Sequence, residues 1–231
     1  MDHVGYEYNP RHRDMGYHNI YDRYLEILDK YGRYKDDVQF HFHPMSHYKE
    51  ANRAGKSYEH SKTLYQILSR RIIDREFFPA AFRAGCVTER PDANWFLEQW
   101  IPFDCSNFAV EDHNKEMHKD QKNGQAGDWR RAPHDWSVYH PDIYDYQVPG
   151  LCHRSIGRFL NIVSRYGNIT EAEVEKAFKR ANDGIPTLLG MFNHDFRDMG
   201  KEAEYVQSIL QPIAKKYPCL LYTSPSPRDR T

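Results

Sequence analysis

Val38-Gln39-Phe40-His41-Phe42-His43-Pro44-Met45-Ser46-His47 is the stretch from which both fold and chemistry are read. Val38 to Phe42 predicts a short strand, and Pro44 cannot continue a central ladder, so the strand stops there. Three histidines therefore gather at a strand end. Alternation places His41 and His43 on one face, about 6 to 7 Å apart along the strand, with tips able to converge on one ion. His43 and His47 can do the same if a helical turn begins after Pro44. Imidazole suits Zn²⁺, and the same ligands accept Fe²⁺, Co²⁺ or Ni²⁺. His41, His43 and His47 are thus candidate metal ligands, to be weighed against surface or hydrogen-bonded histidines.

Working outward, Ile20, Tyr24, Ile27, Leu28 and Tyr31 fall at helical spacing before Gly32. Ser57 to Ile72 predicts the next helix and Ala80 to Phe82 a strand, ending in Arg83-Ala84-Gly85. Pro91 opens a helix through Trp100, and Ile101 to Asp104 predicts a strand ending in Asp104-Cys105-Ser106. From Asn107 to Pro149 no period persists, which predicts a lid or binding loop. Its Trp129, Arg130, Arg131, Trp136, Tyr139, Tyr144 and Tyr146 offer flat surfaces for sugar rings, or else pin the loop to itself. Ile156, Phe159, Leu160 and Val163 predict a helix, Thr170 with Glu173 a capping box for another, Ile185 to Phe192 a buried strand, and Glu202 to Lys216 a last helix.

Helices alternating with short strands predict an α/β fold of parallel strands and crossover helices. On this reading the His41 to His47 group, Arg83, Asp104 and His194 each stand just after a strand, where such folds gather their ligands. A two-histidine metal site needs a third ligand, generally a carboxylate, and Asp2 is the candidate. Arg83 can orient a carboxylate or neutralise developing charge, held by Asp104 in a bidentate pair. His194, followed by Asp195, can protonate a leaving amine, with a carboxylate fixing its tautomer.

Composition narrows the classes. The 231 residues are enough for one domain, and 32 Lys and Arg against 33 Asp and Glu leave a formal charge of -1, which draws the chain neither to nucleic acid nor to anionic lipid. No apolar run is long enough to span a membrane, and the opening lacks a signal peptide, so the visible chain is read as cytoplasmic. Cys86, Cys105, Cys152 and Cys219 form no CxxC pair and are expected as reduced thiols. Nucleotide-binding, zincin and α/β-hydrolase motifs are absent. Oligomeric state is not legible.

With these residues located, the chain resembles the polysaccharide deacetylase superfamily, of the NodB-homology or carbohydrate esterase family four type. The resemblance spans Asp2 to Tyr217, read as one domain over residues 1–217. The family's HxxxH pair resembles His43-Pro44-Met45-Ser46-His47, with Pro where the family has Ser or Thr. Its Arg motif is similar to Phe82-Arg83-Ala84-Gly85, its Asp-x-Ser segment to Asp104-Cys105-Ser106, and its late His motif to Phe192-Asn193-His194-Asp195. Only Asp2-His3 remains to match the family's paired acids, so the first strand is expected to be missing, which leaves export open.

The resemblance implies a distorted (β/α) barrel of about seven strands and removal of an acyl group from an amino sugar or polysaccharide by a divalent metal, zinc foremost. It implies Asp2 or an upstream acid as base, Arg83 and Asp104 holding that base, and His194 as proton donor. The rivals are an amidohydrolase-like metal hydrolase and a silent carbohydrate-binding or scaffold module. Residues 218–231, rich in Ser, Pro and Arg, resemble translated sequencing adapter and are set aside as a non-native or disordered tail.

Overall fold

The computed structural model describes residues 17–31, 37–43, 58–111, 127–162, 169–194 and 198–217. In order these form α1 (Tyr17–Tyr31), β1 (Phe40–Phe42), α2 (Lys62–Arg75), β2 (Ala81–Ala84), a 3-10 turn (Gly85–Val87), α3 (Pro91–Trp100) and β3 (Phe103–Asn107). After a long connection come β4 (Ser155–Asn161), α4 (Glu171–Asn182), β5 (Gly190–Phe192) and α5 (Gly200–Lys216). The five strands make one sheet in the order β1-β2-β3-β4-β5, with every pairing parallel.

Local signals explain the helix starts. Ser61 caps α2 by accepting from Leu64 N at 3.3 Å, which typically stabilises a helix by about 1 kcal/mol. Pro91 occupies the first turn of α3, where its missing N–H costs nothing. Thr170 accepts from Glu173 N at 3.3 Å, but the Glu173 side chain turns away to Arg158 at 2.7 and 3.2 Å. Thus only half of the expected capping box forms.

Register and burial assign the faces. Phe82 pairs with Asp104, and Asp104 with Ile156, so these three share one face. On that face Phe40, Phe42 and Phe82 pack with Leu64, Ile67, Phe96 and Leu97 of α2 and α3. Further along, Ile156 and Leu160 pack with Val174 and Ala177 of α4 and with Ile209 and Ile213 of α5. Successive right-handed crossovers in one direction put their helices on the same side, as observed. The opposite face carries His41, Arg83 and Cys105. Arg83 Cζ lies 3.3 Å from the centroid of the Phe192 ring, although β2 and β5 are three strand spacings, about 14 Å, apart along the sheet. The sheet therefore curls strongly, and His41, Arg83 and Phe192 line its concave side.

The expected barrel of about seven strands is not what forms. Among the described residues there are five strands, and the outer two, β1 and β5, do not pair with each other. A barrel requires that last pairing, so this is an open, curled sheet with flanking helices. A second correction concerns Ile156 to Val163, read as helical from its spacing; residues 155–161 are β4. A central parallel strand is covered on both faces and does not alternate, and here even Arg158 is buried, stacked 4.2 Å from the Trp136 ring and donating to Ala109 O at 2.6 Å. The buried strand expected over Ile185 to Phe192 contracts to its last three residues, β5.

Between the two apolar clusters lies a polar seam. Arg154, which precedes β4, donates from one nitrogen, Nη2, to Glu89 Oε2 at 2.9 Å and to Asp104 Oδ2 at 3.0 Å. All three side chains are at most 1% exposed. Tyr58 of the first cluster and Tyr139 of the second both have phenols pushed up, first by burial and next by the charge on Glu89.

Candidate active site

The Phe-His-Phe sequence of β1 decides where its histidine points. Phe40 and Phe42 are each 1% exposed in the helix-side core, so His41 is held on the concave face. His43, just past the strand, follows on the same side. The tips do converge: His41 Nε2 and His43 Nε2 are 2.9 Å apart, with the rings nearly perpendicular at 88°. His41 Nδ1 lies 2.8 Å from Arg83 O. A carbonyl only accepts, so Nδ1 carries the proton and Nε2 keeps its lone pair. Burial, reinforced by His43, lowers the His41 pKa from 6.5 to about 3, so the ring is neutral at physiological pH.

These nitrogens suit a divalent cation. Two donors at 2.0 to 2.1 Å from a tetrahedral ion stand about 3.4 Å apart, so a shift of about half an ångström, with the His43 proton held on Nδ1 instead of Nε2, converts the hydrogen-bonded pair into a ligand pair. Among the described residues no group of three His, Cys, Asp or Glu side chains is placed to hold an ion. His47 and Asp2, expected as third ligand and base, lie outside the described residues.

The next turn supports His43 in a way sequence reading missed. A Cβ on Gly85 would stand 2.2 Å from His43 Cγ, so the imidazole rests directly on this glycine. Cys86 and Val87 follow with φ of 53° and 48°, a left-handed pair that is costly for a β-branched valine. The turn is held from outside: Trp129 Nε1 donates to Val87 O at 2.7 Å and Gly127 N to Cys86 O at 3.0 Å. Cys86 Sγ comes to 3.8 Å from His43 Nδ1. The available signal was a glycine directly after a strand, followed by a thiol, opposite a histidine-bearing strand. We predict that Gly85→Ala costs about 1–3 kcal/mol by overpacking, and that most of this cost vanishes in a His43→Ala background, measured by urea denaturation of all four proteins in the cycle. An undiminished cost in that background would show that the clash lies elsewhere.

Arg83 and Asp104 do not form the expected pair. Both lie within strands rather than beyond them, and they point to opposite faces. Asp104 faces the helices, held by Arg154 and by Ser106 N donating to its Oδ1 at 2.7 Å. Arg83 faces the concave side over Phe192, and Nη1 donates to Cys105 O at a long 3.4 Å. Burial lowers its pKa to about 10. His194 lies two residues beyond β5, exposed, with its ring 6.4 Å from that of Phe192. The structure thus brings His41, His43 and Arg83 together, sets His194 beside Phe192, and excludes Asp104.

The aromatics of the long connection serve the fold. Trp129, Trp136, Tyr139 and Tyr146 are all buried, and Tyr139 Oη donates to Tyr146 O at 2.6 Å. Only Tyr144, at 72% exposed, presents an open ring. Arg130 and Arg131 pair with Asp128 and Asp145, each at 2.7 Å. Asn94 of α3 donates to Asp142 O and Ile143 O, tying the connection down further. The described cysteines, Cys86, Cys105 and Cys152, are not in disulfides. Among the described residues no helix is long and apolar enough to cross a membrane. The chain matches no protein-family model, no curated protein and no solved structure.

Proposed function

We propose that the chain is a metal-dependent hydrolase that removes an acyl group from an amino sugar or polysaccharide, with His41 and His43 as two nitrogen ligands of a divalent cation, zinc foremost. The observation that carries this reading is the convergence of their Nε2 atoms at 2.9 Å, with His41 kept neutral and its Nδ1 proton committed to Arg83 O. A histidine whose second nitrogen is anchored on a carbonyl is oriented as metal-ligating histidines are. Bound there, the ion supplies a polarised carbonyl and an activated water. Arg83 supplies positive charge on the same face. His194, exposed at the end of β5, is the proposed donor of the proton to the leaving amine. His47 and Asp2 are the proposed further ligand and base.

The test is elemental analysis of purified protein together with acetate release from an acetylated chito-oligosaccharide, for the parent chain and for His41→Ala and His43→Ala. Near-stoichiometric zinc is expected in the parent, with each substitution losing metal and hydrolysis together. Metal and turnover that survive in both variants would refute the assignment.

A further inference from the structure

Among the described residues the concave face carries one guanidinium whose hydrogen-bonding capacity is largely unspent. Arg83 projects from β2 into the curl of the sheet and is half-buried there. Among the described residues no carboxylate comes within salt-bridge distance of it, Asp104, the partner expected from sequence, being committed to Arg154 on the other face. Among the described residues its side chain makes one hydrogen bond, the 3.4 Å contact with Cys105 O. Stacking on Phe192 compensates the charge through the ring face, but engages none of the N–H donors. A stacked guanidinium keeps all its donors in the plane of the fork, directed away from the ring beneath it. Such a group is built to meet a planar anion edge-on through two parallel bonds.

We propose that Arg83, backed by Phe192 and bordered by His41, is a binding site for a carboxylate on the ligand, so that the substrate is an acidic sugar such as a uronic-acid unit. A monoanion is favoured over phosphate because the site, among the described residues, offers a single guanidinium: the Nδ1 proton of the adjacent His41 is already given to Arg83 O. The flat fork also matches the flat carboxylate. The anion's charge meets the guanidinium at a half-buried position, where a charge-assisted pair is stronger than on an open surface. As a statement about substrate this rests on the hydrolase reading. As a binding site it stands without the metal.

The experiment is calorimetric titration of the full chain, with EDTA present and at fixed ionic strength, using sodium D-glucuronate, sodium acetate, D-glucose and inorganic phosphate. Saturable binding of glucuronate and acetate is expected, with glucose silent and phosphate weaker than glucuronate. Arg83→Gln is expected to weaken both carboxylates by at least about tenfold, the value of a charged hydrogen bond. Binding of neither carboxylate, undiminished binding by a folded Arg83→Gln protein, or phosphate binding tighter than glucuronate would each overturn the proposal. If Arg83→Gln does not fold, Arg83→Lys decides, since it keeps the charge and loses the fork: weaker binding supports the site, and equal binding overturns it. Because the metal is chelated throughout, glucuronate binding in a protein that neither retains zinc nor hydrolyses its substrate would leave this site standing and remove the hydrolase reading alone.

Discussion

Replacing Arg154 by Met is expected to cost about 3–5 kcal/mol of stability at neutral pH, the usual consequence of removing one partner from a buried ion pair. The guanidinium nitrogen Nη2 serves Glu89 and Asp104 at once, and methionine fills comparable volume while leaving two carboxyl groups facing each other out of water. Neither can find solvent, because both are at most 1% exposed. Denaturant titrations of parent and variant at neutral pH measure this. A loss below about 1 kcal/mol, in the range of an exposed pair, would mean that the seam is wetter than the fold places it.

The second large effect follows from the same group. One cation cannot neutralise two carboxylates, and burial, opposed by Arg154 and reinforced by Asp104, raises the Glu89 pKa well above the usual carboxylate range. The folded protein therefore holds a proton that the unfolded chain releases. The stability contributed by protonated Glu89 is fully present below the unfolded pKa, about 4.3, and is lost as pH rises through the folded pKa. The slope from one such proton is about 1.4 kcal/mol per pH unit. Glu89→Gln imitates the neutral acid and keeps a donor for Asp104. It should match the parent in acid, exceed it increasingly as pH rises, and flatten the stability profile between. A Gln variant that is less stable than the parent at alkaline pH would reverse the sign and show Glu89 ionised in the fold.

Much of this architecture was legible because helices announce themselves by period and by caps. α1, α3, α4 and α5 fall close to where apolar spacing, Pro91 and Thr170 place them. Ser61, the actual cap of α2, lies four residues inside the stretch from which a start at Ser57 was read. β4 was misread because both its faces are covered, leaving Ile156, Phe159 and Leu160 at a spacing that helices share. The open edge of the sheet was illegible for a different reason. Whether the first and last strands meet depends on curl and stagger, which no single strand encodes.

The candidate site divides the same way. Alternation along Phe40-His41-Phe42 suffices to aim His41, and the structure brings His41 and His43 tip to tip. The Arg83 and Asp104 pairing failed on register: with Phe82 opposite Asp104, residues 83 and 104 must face opposite ways, and register belongs to two strands jointly. Gly85 was visible as part of Arg83-Ala84-Gly85, but that it bears the His43 ring depends on how closely β1 and β2 approach. The loop aromatics were ambiguous in sequence, since a ring that stacks on a sugar and a ring that fills a core are the same ring.

β3 and β4 run side by side, yet residues 108–154 separate them along the chain, whereas β1, β2 and β3 follow one another more closely, with α2 and α3 in the links between them. Segments far apart in sequence must close a loop before their contact stabilises anything, and the entropy of that closure slows the step. The amino-terminal three strands can therefore assemble on their own schedule during synthesis. Completion waits for β4, and the bond from Trp129 to Val87 O halves the wandering of the intervening chain by mooring it midway to the half already built.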